Sequence, residues 1–216
     1  MINENASRSN RHTIYLAKSG AGKSQALKQN KEIPAKGARV FLWDTNNDHK
    51  ANRFRTKEAY LKATIKAIAS KKGFRLAFTG GGDSGDIIKD YEWWCSVVLA
   101  ALDGNHETFI IVEELAAVSP SAHKATKNAA IMMNQSRKYG GIFHGTSQRP
   151  EEVAKTFTDN CEVVYIGQQK THNANKYSKK FGIPEEKIKQ LNPLEFYVSD
   201  DAKPEDFYFL KLKYKK

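Results

Sequence analysis

The chain has 216 residues, 40% of them hydrophobic, which is enough for one sizeable core and fits one α/β domain better than two. Its 35 Lys and Arg against 24 Asp and Glu give a formal net charge of +11, which points to a polyanionic partner, nucleic acid ahead of an anionic membrane surface. No run approaches the roughly 18 to 20 apolar residues of a membrane span, the polar start lacks the apolar segment of a secretory signal, and Cys95 and Cys161 lie at no metal-ligand spacing, so the expectation is a cytoplasmic protein without zinc or disulfides.

Residues 1–12 are polar and carry Arg8 and Arg11, and they read as a flexible basic arm, solvated unless a partner takes it up. From there strand-length apolar runs alternate with longer amphipathic stretches, the βαβ rhythm of a parallel sheet covered by helices. Strands are expected at 12–17, 38–44, 74–79, 108–114, 141–147 and 162–167, with helices at 23–31, 56–69, 86–102, 122–137, 151–157 and 173–181. The glycine-rich run 80–85 reads as a loop after the third strand. Beyond Gly182 the pattern changes: Pro184, Pro193 and Pro204 punctuate a short helical piece and the runs LEFYVSD and DFYFLKLKYK, which resemble an antiparallel edge hairpin. The fold class expected is α/β, three-layered, with a mainly parallel central sheet closed by that C-terminal hairpin. Trp93-Trp94, Met132 and Met133 read as core or subunit interface, and His49, His106, His123 and His144 show no metal-ligand spacing.

The first strand runs into AKSGAGKS and then a helix, the context a Walker A loop requires. Gly20 and Gly22 let successive backbone N–H groups face phosphates, Lys23 would reach the β- and γ-phosphates of ATP, and the Ser24 hydroxyl would ligate magnesium. The cofactor-contacting stretch is thus Ala17, Lys18, Ser19, Gly20, Ala21, Gly22, Lys23, Ser24 and the adjoining Gln25. Ala17 stands where glycine is usual and asks for ordinary backbone angles. The plainer alternative, a glycine-rich turn with an incidental lysine, leaves the strand before and the helix after unexplained.

The apolar run Phe109 to Val112 delivers Glu113 and Glu114 to the carboxyl edge of the sheet, as a Walker B strand does. Glu113 replaces the usual Asp and would hold magnesium through water; Glu114 would polarise the attacking water. The alternative makes both acids the N-terminal charges of a following helix. A guanine-specific switch is disfavoured, because Asn175-Lys176-Tyr177-Ser178 lacks the Asp of NKxD.

Downstream comes NQSRKYGGIFHGTSQRP: a helix ending in Arg137, a glycine turn, a strand, then Gln148-Arg149-Pro150. Over residues 13 to about 170 the chain resembles the FtsK/HerA superfamily of DNA-pumping ATPases, and most of all the genome-packaging ATPases of membrane-containing icosahedral viruses, tectivirus and corticovirus relatives. The resemblance implies a RecA-like domain spanning 13–216, with an additional strand between the Walker A and Walker B strands, here assigned to FRLAFT. It implies that Gln148 senses the γ-phosphate and that Arg137 is an arginine finger toward a neighbouring subunit, with Lys138 and Arg149 as rivals, while Asp44 matches an acidic position near the site. It further implies a homohexamer acting on double-stranded DNA, capsid or packaging-vertex partners, and a place in the host cytoplasm or at the virion vertex. Basic clusters at 50–57, 170–180 and Lys211, Lys213, Lys215 and Lys216 suit phosphate backbones or are solvated faces. The rival readings are a filamentous-phage assembly ATPase of the Zot-like kind, a plasmid-transfer motor, a small-molecule P-loop kinase, and a nucleotide-dependent DNA-binding module that does not hydrolyse.

Overall fold

Apolar runs without alternation form strands covered on both faces. In the computed structural model of the chain, which describes residues 2–80, 85–170, 173–200 and 203–215, they make the middle of one nine-stranded sheet. In chain order the elements are β1 (Thr13–Leu16), α1 (Lys23–Gln29), β2 (Arg39–Trp43), β3 (Asn52–Phe54), α2 (Lys57–Ala69), β4 (Phe74–Phe78), α3 (Ile87–Ala101), β5 (Thr108–Val112), α4 (Leu115–Val118), α5 (Lys127–Gln135), β6 (Gly141–Ser147), α6 (Lys155–Asn160), β7 (Val163–Gly167), α7 (Ala174–Phe181), α8 (Glu185–Lys189), β8 (Glu195–Asp200) and β9 (Lys203–Lys211). Residues 81–84 of the expected glycine-rich loop, 171 and 172 of the second basic cluster, and Lys216 of the third lie outside the described residues.

Every residue of β1, β2, β5 and β6 is buried. Their side chains alternate between two layers, as the two-residue strand period requires. Ile14, Leu16, Phe41, Trp43, Ile110 and Val112 join one core with α2 to α8, whereas Tyr15, Val40, Leu42, Phe109 and Ile111 join another with Ala26 and Leu27 of α1. Trp94 is core: its ring meets Trp43 edge-on at 5.9 Å and its indole N–H donates to Tyr60 at 2.8 Å. Among the described residues, no helix is long and apolar enough to cross a membrane.

The strand order is β3-β4-β2-β5-β6-β1-β7-β8-β9, parallel from β3 through β7, with β8 and β9 antiparallel as the expected hairpin. The strand between the Walker A strand β1 and the Walker B strand β5 is β6, not FRLAFT. That run is β4, which lies beyond β2 on the far side of the acids. Order along the chain does not fix order across a parallel sheet, since each crossover can land on either flank. The helix expected at 122–137 begins only at Lys127, after a turn at Ser121 to Lys124; its first-turn Asn128 N–H is capped from outside by both Glu92 carboxylate oxygens at 3.0 Å. It tightens into a 3-10 turn over Ser136–Tyr139 before Gly140.

The basic arm is exposed over residues 2–7, yet it is hydrogen-bonded to the body of the protein. It lies along the edge where the parallel strands begin: Asn5 N–H donates to Lys138 O at 2.8 Å, Arg8 to Gly104 O at 2.6 Å, and Lys138 pairs with Glu4 at 3.0 Å. Gly104 has φ +71, and a Cβ there would collide with the Asn3 carbonyl, so the glycine makes room for the arm.

Candidate functional site

Pairing in register brings four chain segments to one edge. Leu16 lies opposite Ser147, Gly145 opposite Val112, and Val112 opposite Trp43, so Ala17, Gln148, Glu113 and Asp44 all leave their strands on the same side. Ligands of open parallel sheets bind at this carboxyl edge.

The loop after β1 is held open by its own backbone. Gly20 and Gly22 have φ +74 and +99, and at Gly22 even the space is limiting, since an added Cβ would lie 2.6 Å from Leu194 Cδ2. Gly22 caps α1 without any side-chain hydrogen bond, leaving the first-turn amides available. Ala17 is fully buried and not among the left-handed residues, so alanine is at ease where the motif usually has glycine. Lys23 is only 8% exposed, and its Nζ donates to the carbonyls of Ala17 at 2.9 Å and Lys18 at 3.2 Å. Burial lowers its pKa, partly offset by Glu114, Glu113 and Asp48. A buried ammonium whose hydrogen-bond partners are neutral carbonyls favours an anion beside it.

Glu113 is buried with both carboxylate oxygens engaged: Oε1 lies 2.5 Å from His49 Nε2, and Oε2 accepts the Thr146 hydroxyl at 2.5 Å. Burial opposes its ionisation, but the His49 hydrogen bond and charge, then Thr146 and Lys23, hold its carboxyl below the usual range. An ionised carboxylate only accepts, so the hydrogen of this contact lies on His49 Nε2. Glu114 follows in a left-handed conformation, φ 57 and ψ 70. Its N–H donates to Thr146 Oγ1 at 3.1 Å, and its Oε1 accepts from the Ser147 hydroxyl at 3.2 Å and the Gln148 N–H at 3.3 Å.

Asp44 is fully buried and works one step back. Its carboxylate accepts the N–H groups of Asp48 at 2.8 Å and His49 at 3.0 Å, folding the loop after β2 so that His49 meets Glu113. Arg53 braces the same loop through the His49 carbonyl. Asp48 faces the site, its carboxyl pushed up by burial and by Glu113 and Asp44. His49, Thr146, Asn46 and Asp48 escaped the sequence reading. Thr146 had a signal, standing two positions before Gln148 at the end of the same strand; the other three are placed by loop closure that no spacing announces.

These segments line a cavity of about 500 Å³, within the range of small-ligand sites. Ser19, Gly20, Gly22, Lys23, Ser24 and Gln25 face Glu113, Glu114, Thr146 and Gln148 across it, with Asp48, Pro193, Leu194 and Tyr214 at its margins. Ala17, Lys18 and Ala21 shape the loop from behind. The donors fit both groups the motifs imply: glycine amides and a buried lysine for a triphosphate, and the hydroxyl of Ser24 with the carboxylates of Glu113 and Asp48 for magnesium, which takes hard oxygen ligands. Arg137 is not among them. It stands in the 3-10 turn that precedes β6, and the seven residues of that strand, at about 3.3 Å each, put it roughly 20 Å or more from Gln148. Its guanidinium donates to the carbonyls of Ala6, at 3.0 Å, and Arg8 of the arm. Lys138 is beside it, while Arg149, the residue after Gln148, is exposed and paired with Glu152 at 3.2 Å.

No protein-family model matches the chain. It is similar to Protein P9 of Pseudoalteromonas phage PM2, 26% identical over 213 residues, covering 94% of this chain and 92% of that protein. Among solved structures it is similar to the genome packaging NTPase B204 of Sulfolobus turreted icosahedral virus 2 in complex with AMPPCP, with a TM-score of 0.75, 14% identity and coverage of 95% and 99% of the two chains. It is also similar to VirB4 of Thermoanaerobacter pseudethanolicus, with a TM-score of 0.64, 12% identity and coverage of 98% and 91%. The fold is therefore that of RecA-like P-loop NTPases.

Proposed function

We propose that this chain is an ATP-hydrolysing motor that drives double-stranded viral DNA into a preformed capsid, working as a homohexameric ring. The observation that carries the reading is the meeting of Lys23 with Glu113, Glu114 and Gln148 around one cavity at the carboxyl edge of the sheet. The likeness to B204, a genome packaging NTPase bound to an ATP analogue, and to the phage protein P9 supplies the biological direction.

In this reading the amides of residues 19–24 cradle the phosphates and Lys23 turns from its two carbonyls to the β- and γ-oxygens. Magnesium, when bound, neutralises charge on those phosphates. Ser24 and Glu113 would hold it, with Asp48 as a further carboxylate at the same cavity. Glu114 orients and polarises the attacking water through Oε2, while its Oε1 accepts from the Ser147 hydroxyl and the Gln148 N–H. Gln148, at the end of the neighbouring β6, feels the γ-phosphate and passes its loss on through that contact. Arg137 serves a neighbouring subunit's nucleotide once residues 6–8 move off it, and Arg149 is the alternative cation.

Glu114→Gln tests the centre of this reading. Turnover should fall about 10²- to 10⁴-fold, with ATP still bound; unchanged turnover would sink the assignment. Wild-type turnover should rise with added duplex DNA, whereas phosphate transfer to a small acceptor would make the chain a kinase.

A further inference from the structure

The C-terminal run LKLKYK, basic and aromatic, suits a polyanion by composition, yet the structure folds it over the nucleotide cavity. Beyond β9 the tail crosses α1. The Gln25 side-chain amide pairs both ways with the main chain of Lys215, donating to its carbonyl at 2.8 Å and accepting its N–H at 3.1 Å, and Gln29 donates to the Lys213 carbonyl at 2.8 Å. Between these two anchors Tyr214 lines the cavity with 71% of its surface exposed and no aromatic neighbour among the described residues.

Pro193 and Leu194 line the same end. Leu194 is left-handed at φ 67, its N–H donates to Ala21 O at 3.0 Å, and its carbonyl accepts the Leu212 N–H at 2.9 Å. The turn before β8 and the tail are thus fastened to the phosphate loop itself. Across the sheet β1 lies between the acid-bearing β5 and this turn, so the cavity has three zones in order: carboxylates, then amides and lysine, then an apolar and aromatic margin.

We propose that Tyr214, with Pro193 and Leu194, is the platform for the nucleobase, a proposal that rests on the ATP reading above. A nucleoside triphosphate with its metal presents the same three zones in the same order. An exposed tyrosine ring offers a flat apolar face for stacking, and every base has a π-face to meet it. The Gln25 amide, which faces the same margin, is committed to Lys215 and does not read base edges, so the platform binds bases with little discrimination.

Calorimetric titration in magnesium with ATP, GTP and inorganic tripolyphosphate tests this on the wild type, Tyr214→Ala, Tyr214→Phe and Lys23→Ala. ATP and GTP should bind the wild type within about fivefold of each other, and Tyr214→Ala should weaken both roughly tenfold or more. Tripolyphosphate should bind Tyr214→Ala as it binds the wild type, and Tyr214→Phe should keep wild-type affinity for ATP. Unchanged ATP affinity in Tyr214→Ala, an equal loss for tripolyphosphate, or a loss in Tyr214→Phe as large as in Tyr214→Ala would overturn the platform. The phosphate reading fails separately, if Lys23→Ala binds tripolyphosphate as the wild type does.

Discussion

Each oxygen of Glu113 already has a donor, His49 on one and Thr146 on the other, so in the proposed site the carboxylate would meet a metal-bound water only through its remaining lone pairs. The two donors therefore set the direction in which it offers them. Outer partners of this kind typically change metal affinity 10- to 100-fold, and His49→Ala should raise the magnesium needed for half-maximal nucleotide binding by about tenfold or more. ATP affinity in chelator should stay unchanged, and His49→Gln should restore part of the magnesium response. A magnesium curve that does not move would reduce His49 to packing. At Glu114 the left-handed backbone is strain held by the Thr146 hydroxyl and the Ser147 and Gln148 contacts, and strain of this kind accords with the catalytic role proposed for the residue.

Two buried histidines tie β6 to its surroundings. His12 Nδ1 accepts the Phe143 N–H at 3.2 Å, and His144 Nδ1 lies 3.1 Å from the Tyr15 hydroxyl. Burial, with Arg137 adding to it, lowers the His12 pKa to about 4, and burial, with His12 and Arg11, lowers that of His144 to about 3. Both therefore stay neutral in the fold while the unfolded chain protonates them near pH 6.5, so their contribution is complete above that value and is lost as pH falls toward 4 and then 3. Chemical denaturation should show the unfolding free energy dropping by about 1.4 kcal/mol per pH unit for each histidine in that window. His144→Phe should flatten the slope, and a wild-type profile flat from pH 7 to 4 would contradict both. The elements themselves were mostly legible: β1, β2 and β5 are apolar runs, and the phosphate loop and Glu113-Glu114 stand at their ends. Strand β3 was not, because Asn52, Arg53 and Phe54 lack both apolar length and alternation and form a strand only by pairing with β4. Nor was the placing of β6 between β1 and β5, which the crossovers decide, or the loop fold that Asp44 imposes on His49.

For the whole molecule the proposed ring makes a demand one chain alone does not: Glu114 and the finger must come from different subunits. Chains with Arg137→Ala and chains with Glu114→Gln should each be inactive, Arg137→Ala by on the order of 10³-fold. Mixed in equal amounts they should recover turnover, because some interfaces then join an intact arginine to an intact glutamate. No recovery on mixing would remove Arg137 from the trans role and leave Arg149 to be tested the same way. The net charge of +11 belongs to this scale too. Duplex binding should weaken steeply between 50 and 200 mM salt, by about 10³-fold or more if six or more phosphates are contacted, and binding indifferent to salt would argue against a groove that follows the backbone.

Strand β6 begins a few residues after Arg137 and ends beside Gln148, fully buried and hydrogen-bonded to β5 on one flank and β1 on the other. Such a segment neither stretches nor bends without breaking both ladders. In the proposed ring, news of a lost phosphate at one tip and of a docked or departed neighbour at the other would share a single stiff rod, and the timing between adjacent protomers would need no further messenger.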